Sequence, residues 1–200
     1  DGTTILGADD KTGLSVMLEV LRVIKENDLK HGTIQFIITV GEESGLVGAK
    51  ALDPSLIKAT YGFALDSGEA GGNIIVAAPT QAKIKAVIKG KTAHAGVAPE
   101  KGVSAITIAA KAIAKMPLGR IDEETTANIG RFDGGNQQTN IVVDHVEILA
   151  EARSLITEKM EAQAALMKEA FESVAAEMGG TAEVEIDVMY PGFKYGDGDH

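Results

Sequence analysis

Two hundred residues, 44% of them hydrophobic, suffice to bury a core in one large or two small domains, and the composition is not that of a disordered chain. Nineteen basic against 29 acidic side chains leave a formal charge of −10, which argues against nucleic acid or an anionic membrane surface as a partner. Cysteine is absent, which excludes disulfide and thiolate chemistry and fits a cytoplasmic location, and no run nears the roughly 20 apolar residues that span a bilayer.

The chain opens on "DGTTILGADD", with no basic leader or signal-like apolar stretch, and closes on the patternless "GFKYGDGDH". It reads as a piece of a longer polypeptide, entered within a structural unit. Asp9 and Asp10 stand side by side before a helix predicted from Leu14, Met17, Leu18, Leu21 and Ile24, which recur at helical spacing. Helix capping accounts for a carboxylate there, because it accepts orphan backbone N–H groups and suits the positive end of the dipole. A pair of them gains further meaning only from partners elsewhere in the chain.

The runs 33–40 ("TIQFIITV"), 61–65 ("YGFAL") and 73–78 ("NIIVAA") are continuous, apolar and β-rich, as expected of strands buried on both faces. With the helix that precedes them they predict an α/β sheet with crossovers over residues 1–79. After Pro79 the pattern alternates. Residues 82–91 set Ala82, Ile84, Ala86 and Ile88 against Lys83, Lys85 and Lys89, and a helix is predicted over about 103–116. Strands follow at about 124–132 and 140–153, on either side of the turn "DGGNQQ". A long helix then carries Met160, Ala164, Met167, Phe171, Val174 and Met178 on one stripe and is stopped by Gly179-Gly180. That stripe reads as core. The strand 181–188, with Glu183, Glu185 and Asp187 outward, completes a ferredoxin-like βαββαβ unit over 80–190. In that topology the first and last strands are antiparallel neighbours, which sets the lysine row beside an acidic row.

Carboxylates follow the predicted buried strands. The run 33–40 ends in "GEESG" with Glu42 and Glu43, and 61–65 ends in Asp66. Ligands of open α/β sheets bind in the crevice at the carboxyl ends of the strands, so Asp9, Glu43 and Asp66 are expected to converge there. Several carboxylates in one crevice repel unless a cation gathers them, and zinc, manganese or cobalt is the natural partner. Glu42 and Glu43 share such a site only where the chain bends, and Gly41 permits the bend. Taken singly, each of these acids is more often a turn or cap residue. Of the histidines, His31 reads as surface, His145 as outward-facing and structural, and His200 ends the chain. His94 lies in a loop of small residues between strand and helix, where it can reach a ligand. No nucleophile elbow, phosphate loop or dinucleotide pattern is present.

Together "TTILGADDKTG", "TVGEESGLVGAK", "ALDSG", "GKTAHAG" and "TNIVVDHVEILAEARSL" resemble the two-metal exopeptidase family of peptidase T, aminoacylase and succinyl-diaminopimelate desuccinylase, with the nearest resemblance to the peptidase T branch. The resemblance runs through nearly the whole chain in the correct order. It implies part of a zinc-exopeptidase α/β catalytic domain over 1–79, a lid and dimerisation domain over 80–190, and the start of a return to the catalytic domain over 191–200. It implies two divalent metal ions, zinc first and cobalt or manganese next, with Asp9 bridging them, Glu43 and Asp66 as terminal ligands and Glu42 as general base. The Asp9–Asp10 bond is often cis in such proteins. His94 then reaches across a homodimer to the scissile carbonyl, and Asn140 and Arg153 hold the substrate.

The implied activity is hydrolysis of short peptides, with N-acyl-amino-acid amidohydrolysis or a non-catalytic dimerisation module as alternatives. Members of the family also carry a His-x-Asp motif before the segment matching residue 1, and a metal-binding histidine after the lid. Neither falls within these 200 residues, which by themselves are expected to bind zinc weakly and to be inactive.

Overall fold

The computed structural model describes residues 2–3, 9–68, 71–196 and 198–199. His200 and residues 4–8 of the opening motif lie outside them. The chain divides into two compact units, residues 1–75 and 76–199, each built differently.

In the first unit, α1 (Lys11–Glu26) begins where the Asp10 side chain accepts the Gly13 N–H at 2.8 Å. Arg22 pairs with Glu19 and Glu26 along the exposed side of α1. A short α2 (Val47–Ala51) follows the turn after residue 40, and Asp53 caps the 3₁₀ turn Pro54–Leu56 through the Ser55 N–H.

The strands expected at 33–40 and 61–65 are not formed. Their side chains stay exposed, Val40 at 76% and Phe63 at 70%, and Gly13 is the only buried residue among those described up to 75. A doubly buried strand needs ladder neighbours on both edges and covering layers on both faces. Among the described residues neither run belongs to a strand ladder. Backbone groups near the first run are taken by a side chain instead: Gln35 donates to the Leu56 carbonyl at 2.7 Å and accepts the Lys58 N–H at 2.9 Å.

The second unit forms as its alternation predicts. Of the run 73–78 only β1 (Ala77–Ala78) is a strand, followed by β2 (Thr80–Lys89), α3 (Ala105–Ala114), β3 (Gly119–Arg120), β4 (Thr125–Gly134), β5 (His145–Ser154), α4 (Thr157–Glu177), β6 (Thr181–Tyr190) and β7 (Phe193–Lys194). One five-stranded sheet runs β3-β4-β5-β2-β6, and β1 pairs with β7. Stripped of the two-residue strands, the order is the expected βαββαβ.

Alternate residues of β2 and β5 (Ala82, Ile84, Ala86, Ile88; Val146, Ile148, Ala150, Ala152) face α3 and α4. The helices return Ile108, Ala109 and Ala112 from α3, and Met160, Met167, Phe171 and Val174 from α4. The methionine stripe is therefore core. Each large side chain so buried contributes about 1.5–3 kcal/mol of transfer free energy.

The opposite sheet face carries the charges. Lys83 stands opposite Asp187 and Lys85 opposite Glu185, the pairing expected of first and last strands. The lysine row is flanked on its other side as well, because Lys83 also faces Glu151, and Lys85 makes its ion pair with Glu147 of β5 at 3.3 Å. These pairs are solvated, so each adds at most about 1 kcal/mol.

Candidate active site

The first cluster gathers at the mouth of α1. One carboxylate oxygen from each of Asp9, Asp10 and Asp66 lies within 4.8 Å of the others. The Asp9–Asp10 peptide bond is cis. Asp66 is drawn close because Gly13 lets the first turn of α1 approach the chain just before it: a Cβ at residue 13 would meet the Leu65 carbonyl oxygen at 2.7 Å.

The Asp66 carboxyl is held above the ordinary carboxylate value. Desolvation is the first cause, followed by the charges of Asp9 and Asp10, a hydrogen bond with Asp9, and the charge of Glu43. Glu43 thus acts on the cluster from the turn after residue 40. That turn is built on Gly41 at φ +68°, with the Glu42 carbonyl accepting the Gly45 and Leu46 N–H groups at 2.9 Å each. A set of oxygen donors whose crowding raises a proton affinity is chemically suited to a divalent cation, which relieves the same repulsion.

The cap that the sequence offers to either aspartate of the pair is filled by Asp10. Its carboxylate also stands in the trio, which the sequence-based ligand set of Asp9, Glu43 and Asp66 left out. The adjacent pair "DD" was the available signal. Gly13 was missed because close approach of two backbones leaves no local pattern.

Replacing Gly13 by Ala in the full-length protein is expected to cost about 1–3 kcal/mol through overpacking and to weaken divalent-cation binding. Thermal denaturation and a zinc titration measure both effects, and an unchanged zinc affinity would show that the approach of Leu65 to α1 does not shape the cluster.

In the second unit His94 and Asn140 lie on adjoining segments. The Ala95 N–H donates to the Asn140 carbonyl at 2.9 Å, the Val142 N–H donates to the Ala93 carbonyl at 2.9 Å, and His94 bridges antiparallel to Ile141. The Gly96 N–H donates to His94 Nδ1 at 3.1 Å, so the neutral ring carries its proton on Nε2 and offers it outward from an exposed position. Arg153 stands on β5, tied to Glu151. His145 points outward at the start of β5, and His31 is exposed with Nδ1 against the Gly32 carbonyl, as read from the sequence.

The peptidase dimerisation domain of the M20 family matches residues 77–179, just over half of the chain. The chain belongs to the M20 peptidase family. A model of M42 glutamyl aminopeptidases also matches, over residues 6–108, the stretch that carries Asp9, Glu42, Glu43 and Asp66.

The crystal structure of aminopeptidase PepT from Bacillus cereus superposes with a TM-score of 0.93 at 76% identity, covering all of this chain and 53% of that one. A tripeptidase from Staphylococcus aureus does so with a TM-score of 0.94 at 58% identity, again covering all of this chain and 53% of that one. The uncharacterized protein YqjE of Bacillus subtilis is 75% identical over 199 residues, which is 53% of its length. The chain therefore spans about half the length of the curated relatives it matches, within the peptidase T-like branch of the M20 family. No helix among the described residues is long and apolar enough to cross a membrane.

Proposed function

We propose that the full-length protein is a metal-dependent exopeptidase that hydrolyses short peptides, and that the cluster at the mouth of α1 belongs to its catalytic centre. The observation that carries this reading is the meeting of Asp9, Asp10 and Asp66 in an M20 family chain, with Glu43 adding its charge. Asp9, Glu43 and Asp66 are the proposed ligands of two divalent ions, zinc first. When bound, such a pair supplies Lewis-acid activation of water and of the scissile carbonyl.

The chain's own residues do the rest. Glu42, in the turn beside Glu43, takes a proton from the attacking water and passes it to the departing amine. His94 donates from Nε2 to the oxygen on which negative charge develops. Asn140 and Arg153 hold the peptide, Arg153 by offering its planar fork to a carboxylate. Pairing of two copies through the unit containing residues 77–179 is the proposed assembly, and the cytoplasm the proposed location.

The test is a panel of tripeptides against N-acylated amino acids, run on the full-length protein before and after chelation. Tripeptide hydrolysis that is lost with chelator and restored by zinc, cobalt or manganese is the expected result. Faster turnover of the acylated amino acids would assign an amidohydrolase, and dimerisation with no hydrolysis of either class would assign a scaffold.

A further inference from the structure

The uncovered face of the five-stranded sheet carries one arrangement in which every member is fixed. Among the described residues Arg153 uses one side of its guanidinium: Nε–H donates to Glu151 Oε1 at 2.9 Å and Nη2–H to Glu151 Oε2 at 3.0 Å. Gln81 donates from Nε2 to the same Oε2 at 2.7 Å. Gln81 sits directly across from Arg153 on β2, and at 6% exposure its amide is locked in place. Tyr190 is across from Gln81 on the other side, and β6 bulges there, with Met189 as the extra residue opposite the step from Gln81 to Ala82.

The strand ends around this row are tied by hydroxyls. Thr80 bonds Thr157 at 2.9 Å, the Gly192 N–H donates to Thr80 at 2.8 Å, and Thr125 bonds Ser154 at 3.1 Å.

Among the described residues the end-on edge of the fork has no partner. Nη1 donates to no described residue, and the Arg153 side chain is 38% exposed. An arginine can accept a second carboxylate end-on through Nη1 and Nη2 while its Nε side is occupied. Glu151 is shared: it stands opposite Lys83 as well as bonding Arg153, so it does not offset the guanidinium alone. The guanidinium and Glu151 hold each other in their charged forms. The Arg153 proton affinity is raised chiefly by the bond to Glu151, and the Glu151 carboxyl is held below its ordinary value, first by Arg153 and then by Gln81 and Lys83 against the opposing effect of burial.

We infer that Glu151, buttressed by Gln81, is a positioning residue that fixes the plane of the Arg153 fork so that its end-on edge meets the C-terminal carboxylate of a short peptide. This rests on the proposed role of Arg153. A free arginine side chain samples many rotamers, and that freedom opposes binding. Glu151 removes most of that freedom before the peptide arrives, so the carboxylate meets a fork already set. The preference of the protein for peptides with a free C-terminus over their C-terminal amides then depends on Glu151 as well as on Arg153.

The experiment compares a tripeptide with its C-terminal amide on the full-length protein, measuring kcat and KM for each. Glu151→Gln preserves the shape and still accepts from Gln81. It is expected to raise KM for the free acid by about tenfold, the scale of one charge-assisted hydrogen bond, and so to shrink the acid-over-amide preference. Arg153→Ala should abolish the preference, Glu151→Gln should add nothing in that background, and Glu151→Asp should recover part of it.

A preference left intact by Glu151→Gln but abolished by Arg153→Ala overturns the inference alone. Equal losses on acid and amide in Glu151→Gln, with a lowered melting temperature, overturn it in favour of a purely structural role. A preference untouched by Arg153→Ala overturns the reading of Arg153 and the inference with it.

Discussion

Glu42→Ala in the full-length protein is expected to lower kcat for tripeptides by about 10²–10⁴-fold, the range carried by a positioned general base, while the metal content per chain stays unchanged. The two neighbouring glutamates sit in one turn but act differently. The charge of Glu43 raises the proton affinity of Asp66, whereas Glu42 is not among the groups that perturb it. The Gly41 bend and the two N–H groups donated to the Glu42 carbonyl hold this divergence in place. Steady-state kinetics beside elemental analysis of the purified variant separates the roles. Metal lost together with activity would make Glu42 a ligand, and activity kept would remove it from the chemistry.

Asp66→Asn is expected to show two effects of opposite sign. In the folded protein the Asp66 carboxyl binds its proton more tightly than an ordinary aspartate, because it is desolvated and crowded by Asp9, Asp10 and Glu43. The stability associated with that proton is therefore present at low pH and is lost as pH rises through the raised value. Near neutrality the metal-free protein carries the cost of an ionised cluster. Removing the Asp66 charge is expected to raise its melting temperature slightly at pH 7 and to leave it unchanged in acid.

With a divalent cation the order reverses. A cation at a hundredfold excess over its Kd stabilises the folded state by about 2.7 kcal/mol, and Asp66→Asn is expected to lose most of that gain. Melting curves at pH 5 and pH 7, with and without zinc, read both effects. An equal zinc-induced shift in the variant and the parent protein would remove Asp66 from the metal site.

Legibility differed between the two halves for a physical reason. The alternation Ala82, Ile84, Ala86, Ile88 needs only one buried face, and α3 and α4, which cover it, lie in the same chain; elements and core followed from periodicity. The runs 33–40 and 61–65 are apolar throughout, so they need strands beside them and layers on both faces. No described segment supplies these, and the expected strands are absent. The run 73–78 behaves likewise except at Ala77 and Ala78, which β7 pairs.

The candidate residues divide in a similar way. Residue type was enough to single out Asp9, Glu42, Glu43 and Asp66 as carboxylates after apolar runs, and to mark His94 by its loop of small residues. Alternation along β5 leaves Glu151 and Arg153 on one sheet face, but it does not dictate that the fork closes on the residue two positions earlier. Gln81, brought across from β2 by the register of β2 with β5, donates to the same carboxylate.

By itself the amino-acid sequence determined the βαββαβ order of residues 80–190, the buried methionine stripe, the facing of lysines by acids, and the kinds of side chain available for chemistry. These follow from local periodicity and residue type, which each stretch carries within itself. Folding adds that Asp10 joins Asp9 and Asp66, that Gly13 opens the space for that meeting, that His94 lies beside Asn140, and that Glu151 holds Arg153. The first three depend on approaches between segments apart in the chain, and the last on the rotamers two neighbours of one strand face adopt; packing and strand register set both.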